Sequence, residues 1–182
     1  MTAAYGIRHY NPRVCARTTA HLIVQLLSFI SPDFAVSLRE RQDQIVTELN
    51  ALTDWKERYR SIIARGRAMQ PFPEDWRGDK NLVKGCQSRV WLHAELKDGH
   101  LLLHGDSDAE IVRGLVAIVL EVFQGATPDE AVSADVDFVD RLGLSENLSQ
   151  TRANGLMAMI KQIRLYGTVF RALAATSSPK AQ

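Results

Sequence analysis

The stretch "VWLHAELKDGHLLLHGDSDAEIVRGLVAIVLEVF", Val90–Phe123, decides the fold. Val90, Leu92, Ala94 and Leu96 alternate with Arg89, Trp91, His93 and Glu95, a period of two that predicts a strand with one buried face. Asp98-Gly99 then predicts a type I′ hairpin turn, because both residues tolerate the positive φ such a turn demands. His100–His104 reads as the returning strand. After it the period lengthens. Ser107 and Glu110 have the spacing of a capping box, and Ile111, Val112, Leu115, Val116, Ile118, Val119, Val122 and Phe123 cover most of the circumference of the helix that follows. Such a helix belongs at the centre of a core. Gly114 in its middle costs about 1 kcal/mol of helix propensity against alanine, which points to a close backbone approach there.

Helical signals flank this unit on both sides. Ser37 and Glu40 form a capping-box pattern before Leu38, Ile45, Val46 and Leu49, predicting a helix to about Leu52. Asp54 and Glu57 repeat it for a helix through Tyr59, Ile62 and Ile63 to about Met69. "QPFPEDWRGDK" breaks the pattern with Pro71, Pro73 and Gly78, predicting an extended loop. Downstream, Gly125 ends the central helix, and Thr127, Pro128 and Glu130 start another. A short helical piece is expected around Val136–Leu142, and a last helix from Ser149 or Thr151 to roughly Leu173. The expected fold class is α+β: a small antiparallel sheet with helices packed mainly on one face.

The chain has 182 residues, 46% hydrophobic and 24% charged, enough for one sizeable core. Its formal charge of +1 supplies no general attraction for nucleic acid or an anionic membrane. Residues 1–32 carry Arg8, Arg13 and Arg17 without Asp or Glu, then an apolar run Leu22–Ile30 too short to span a bilayer, which takes about 20 apolar residues. That composition has the look of an organelle-targeting segment or a secretory signal, with a poorly ordered extension as the plainer reading. Residues 1–36 are therefore set apart from a domain at 37–174, with a polar tail at 175–182. The two cysteines, Cys15 and Cys86, form no CxxC pair, no zinc spacing and no disulfide framework, so a reducing, cytoplasmic setting is expected, organelle targeting aside. Cys15 with His9 and His21 fits no metal motif.

Cys86 stands in "NLVKGCQSRVW", after Gly85 and between Lys84 and Arg89. A thiol acts as its thiolate, and a loop with positive neighbours favours access and ionisation. Buried cysteine packed as a small hydrophobe is the alternative.

Three blocks in order, "LVKGCQSRVWL" (Leu82–Leu92), "GDSDAEIVRGL" (Gly105–Leu115) and "LSQTRANGLMAMIKQIR" (Leu148–Arg164), resemble the SufE family, its CsdE branch included, over about Leu38–Gly167. The resemblance implies a sulfur acceptor for a cysteine desulfurase of SufS or CsdA type. Sulfur would pass from the desulfurase's persulfide onto Cys86, then to an iron–sulfur cluster scaffold, and the desulfurase would be stimulated. No resident cofactor is implied: the persulfide is transient, and pyridoxal phosphate belongs to the partner. Gly85 would let the loop turn sharply, and Gln87 and Ser88 would hold the loop or the sulfur. Asp106 and Asp108 fall at the start of the long helix, where its dipole favours carboxylates, or contact the partner. Arg152 matches an arginine of the family and would anchor the loop or face the desulfurase. A free carrier is expected to tuck Cys86 against apolar surface and to swing it outward on docking, because an exposed thiolate or persulfide oxidises.

Two rival classes use the same cysteine. A cluster scaffold of IscU type needs several thiolate or imidazole ligands, and a cysteine hydrolase needs an oriented histidine. His93 and His104 flank the hairpin; the sequence places no carboxylate to orient His93, and neither histidine is expected to be catalytic. Trp55, Trp76 and Trp91 read as packing residues. A monomer or a weak homodimer both fit.

Overall fold

A computed structural model describes residues 36–177. The basic and apolar features of residues 1–32, with Cys15, His9 and His21, lie outside the described residues. Ser37 accepts from the Glu40 amide while the Glu40 carboxylate accepts from the Ser37 amide, and this capping box opens α1, Leu38–Asn50. Asp54 caps α2, Trp55–Ala68, through the Lys56 amide rather than through a box with Glu57. The 70–83 segment follows, extended but for two short 3-10 turns at Glu74–Trp76 and Asp79–Asn81.

The hairpin forms as its sequence requires. Strand β1, Val90–Lys97, pairs antiparallel with β2, His100–Ser107, and Asp98 and Gly99 take φ values of 52° and 81° at the turn. β2 runs past the expected end at His104 because Val90, Trp91 and Leu92 find partners in Ser107, Asp106 and Gly105. The Ser107–Glu110 capping box does not form. Ser107 closes β2, its hydroxyl donating to the Arg89 carbonyl at 2.9 Å and accepting from the Ala109 amide at 3.3 Å. The central helix α3, Glu110–Phe123, starts after Ala109 without a side-chain cap.

The expectation of one buried face on β1 needs correction. Val90 and Leu92 are buried on the core side, but Trp91 on the opposite side is also only 4% exposed, because the 70–83 segment lies over that side and bridges Leu82 to Trp91. Toward the turn the core side opens too, and Leu96, in phase with Val90 and Leu92, emerges into solvent. The core face is covered by α3, packed on β2, and by α7, Gln150–Ser177, packed on β1. Tyr166 of α7 donates to the Leu92 carbonyl at 2.8 Å, which satisfies part of the open edge of β1.

Helix α3 is the hub. Val116, Ile118, Val119, Val122 and Phe123 have no exposed surface, and each such side chain contributes about 1.5–3 kcal/mol by leaving water. It crosses α2 backbone to backbone at Gly66 and Gly114: a Cβ on Gly114 would overlap the Ile62 carbonyl oxygen and stand 2.7 Å from the carbonyl carbon. Arg41 of α1 donates to the Val122 carbonyl at 2.9 Å, placing a cation at the negative end of α3. After Gly125, at φ 74°, a full capping box of Thr127 and Glu130 opens α4, Pro128–Ser133. The helical piece expected around 136–142 is α5, Phe138–Arg141. Gly143, at φ 63°, reverses the chain into a further short helix that the periodicity did not announce, α6, Leu144–Asn147. Helix α7 continues to Ser177, beyond the expected limit at Leu173. No helix among the described residues is long and apolar enough to cross a membrane.

Candidate functional site

Residues 84–89 form a loop whose two ends are tied to the body of the protein. At its root the Val83 amide donates to the Val90 carbonyl at 2.8 Å. Just past the end of β2, Asp108 accepts from the Arg89 amide at 3.0 Å and returns its own amide to the Arg89 carbonyl at 3.2 Å. Asp108 is exposed and acts here as a clamp between the loop and the entrance to α3. Between these anchors Gly85 turns the chain at φ 92°, a left-handed conformation that a side chain would strain, and this turn points Cys86 inward.

Cys86 is half-buried and packs against the core on α7. Its thiol lies 3.6 Å from the Gly155 carbonyl oxygen, within reach of a weak S–H···O bond. Burial pushes the thiol pKa up. This corrects the expectation that Lys84 and Arg89 favour the thiolate: both side chains are exposed, where water screens them, and loss of hydration around the sulfur dominates. In this arrangement Cys86 rests as a thiol and is not poised for attack.

A cavity of about 140 Å³ opens beside the sulfur, lined by Cys86, Gln87, Ser88, Ser149, Thr151, Arg152 and Gly155, with Val112 and Met159 as its apolar floor. The fold thus brings Gln87, Ser88 and Arg152 together at one place. Gly155 and Met159 were missed, although a signal existed: they follow Arg152 at the three- and four-residue steps that share one face of a helix.

Asp106 has a different position. It is 2% exposed, paired with Arg77 at 2.5 Å and Arg113 at 3.1 Å, and it accepts from the Ser107 amide at 2.8 Å. It does not stand at the protein surface where a partner would meet it. Instead it binds the 70–83 segment, through Arg77, to the sheet and to α3. Arg77 also lies over the Trp91 ring at 5.2 Å, as Arg89 does at 4.9 Å. Arg77 gave no sequence signal, since a lone arginine in a proline-rich loop reads as solvated.

His93 and His104 are cross-strand partners beneath Trp76, with ring centroids 4.0 and 5.2 Å from the indole. Burial lowers the pKa of His104, with Glu95 opposing and His93 adding to the effect. Neither histidine lines the cavity at Cys86.

Residues 43–166 match the SufE family, described as an Fe–S metabolism associated domain. The chain belongs to the SufE family. Its role accordingly lies in iron–sulfur metabolism. An uncharacterised SufE-like protein of Rhizobium meliloti (strain 1021) is 45% identical over 127 residues, spanning 67% of this chain and 91% of that protein. The solution structure of a hypothetical protein from Thermus thermophilus superposes with a TM-score of 0.61 at 20% identity, covering 74% of this chain and 96% of the other, a likeness of fold. The SufE match takes in the Cys86 loop, both strands, α3 and the N-terminal half of α7, so every residue lining the cavity falls within it.

Proposed function

We propose that this SufE-family chain accepts persulfide sulfur from a cysteine desulfurase onto Cys86 and hands it to iron–sulfur cluster assembly. The observation that carries the reading is a single thiol at a loop tip, beside a cavity with room for one more sulfur and with no imidazole or carboxylate in its lining. The Cys86 thiolate attacks the outer sulfur of the donor persulfide. The donor's S–S bond breaks, the donor cysteine leaves as thiolate and takes up the proton that Cys86 gave up, and a Cys86 persulfide remains. Nothing is oxidised or reduced overall, so the exchange needs only access and a thiolate. Both require the loop to leave its buried position, which fits a carrier that reacts on docking and stays inert otherwise. When the loop closes again, the outer sulfur enters the cavity, where Arg152 offers a cation to a persulfide anion and the hydroxyls of Ser149 and Thr151 offer hydrogen bonds.

A hydrolase would use an imidazole oriented toward the thiol, and the cavity lining supplies none. A cluster scaffold would gather at least three ligating side chains; among the described residues no such group of His, Cys, Asp or Glu is found.

The test mixes the chain with a purified SufS-type desulfurase and cysteine, then measures the Cys86 peptide by mass spectrometry without reductant. A gain of one sulfur atom on that peptide, lost in Cys86→Ala together with the stimulation of desulfurase turnover, is expected. Stimulation that survives in Cys86→Ala refutes the acceptor role.

A further inference from the structure

Beneath the resting Cys86, α7 presents a glycine, Gly155. A Cβ built on Gly155 would stand 3.3 Å from the Cys86 sulfur and 3.8 Å from its Cβ. Carbon atoms settle at about 3.5–4.0 Å from one another, and sulfur is the larger atom, so the sulfur would have to give way by a few tenths of an ångström. One helical turn further on, a Cβ on Gly85 would stand 3.9 Å from the Cβ of Ala158. The loop tip therefore lies on a saddle of two small residues, Gly155 under the sulfur and Ala158 under the turn. Gly155 is buried within a long helix and has no positive φ, so backbone conformation does not call for glycine there. Contact with Cys86 does.

We propose that Gly155, seconded by Ala158, is the latch of the Cys86 loop: the gap in α7 holds the thiol on the helix backbone, and the size of residue 155 sets how readily the loop opens. Its consequence for function rests on the reading of Cys86 as a sulfur acceptor. Closed, the thiol is desolvated and protonated; open, it is hydrated and ionises in the ordinary range, so one movement supplies both access and nucleophile. Gly155 is a positioning residue, acting through Cys86.

The test uses the full chain and its Gly155→Ala and Ala158→Leu variants. The rate of Cys86 alkylation by iodoacetamide is followed against pH by mass spectrometry of the Cys86 peptide, beside thermal melts by circular dichroism. Gly155→Ala is expected to react about 3- to 10-fold faster near neutral pH, with the midpoint of its pH profile moved down toward that of a free thiol. Its melting temperature should hold or rise, because alanine favours a helix. Ala158→Leu is expected to shift rate and midpoint in the same direction, and it carries the test should Gly155→Ala fail to fold. A folded Gly155→Ala with the wild-type midpoint overturns the latch, including the case where only its melting temperature falls. Alkylation needs no sulfur donor, so that failure leaves the acceptor reading standing. Conversely, a wild-type chain that takes no sulfur removes the acceptor reading and leaves the latch intact.

Discussion

Gly114→Ala sets two opposing effects of known sign against each other. In an isolated helix the change stabilises by about 1 kcal/mol, since glycine is the more flexible residue when unfolded. In this fold the new methyl group would overlap the Ile62 carbonyl oxygen and lie 2.7 Å from both the Ile62 carbonyl carbon and its Cγ2. Two of those three atoms are α2 backbone, which cannot rotate aside. The helices must part by the better part of an ångström, and residues 114–119 of α3 are all buried, so the separation loosens core contacts on several sides. Overpacking of a dense core costs about 1–3 kcal/mol, and a clash with backbone belongs at the upper end or beyond. The balance is a net loss of about 2–3 kcal/mol. Urea unfolding followed by far-UV circular dichroism reads it as a lower midpoint with an unchanged slope. Gly66→Ala, whose Cβ would stand 2.7 Å from the Gly114 nitrogen, should lose a similar amount. The double variant should lose less than the sum, because one separation relieves both clashes. Gly78→Ala, with nothing within 4 Å and a φ of −85°, is the control and should change stability by no more than about 0.5 kcal/mol. A Gly114→Ala protein as stable as the wild type, or more so, refutes the close crossing.

Two further outcomes follow from buried charge. Asp106→Ala leaves Arg77 and Arg113 without their shared carboxylate; as both guanidiniums keep about a third of their surface exposed, the expected loss is about 2–3 kcal/mol, below the range for a fully buried pair. Faster limited proteolysis within 70–83 should accompany it, and unchanged urea midpoint and cleavage together would count against the anchoring role. His104, its pKa lowered chiefly by burial, binds a proton less readily folded than unfolded. Its stabilising effect is therefore complete above the ordinary imidazole value of about 6.5 and is lost as the pH falls below it. Urea midpoints between about pH 7 and 5 should decline less steeply in His104→Gln, and an identical slope argues against a buried neutral imidazole.

Much of the fold was legible because its causes are local. The hairpin follows from alternation and from two residues that accept positive φ, and α1 and α4 follow from capping boxes within four residues of chain. Local logic also explains the failures. Ser107 and Glu110 have the spacing of a capping box, yet Ser107 is held in β2 by pairing with Val90, so strand pairing overrides the helix signal. The short helix α6 depends on the reversal at Gly143 and on packing of Leu144 into the core, neither of which has a period to read.

The site divides along the same line. Cys86, its glycine and the residues around Arg152 are marked in the chain by type and spacing. Burial of Asp106, the second covered face of Trp91, the protonated state of the thiol and the part played by Gly155 are not. Each depends on which groups the fold brings together from distant positions: Cys86 meets the Gly155 carbonyl across 69 residues, and Asp106 meets Arg77 from a separate segment. Periodicity and turn preference act over a few residues and so are written in order along the chain. Desolvation and steric fit arise only where separate segments close on one another, and the reactivity of this thiol belongs to that second kind.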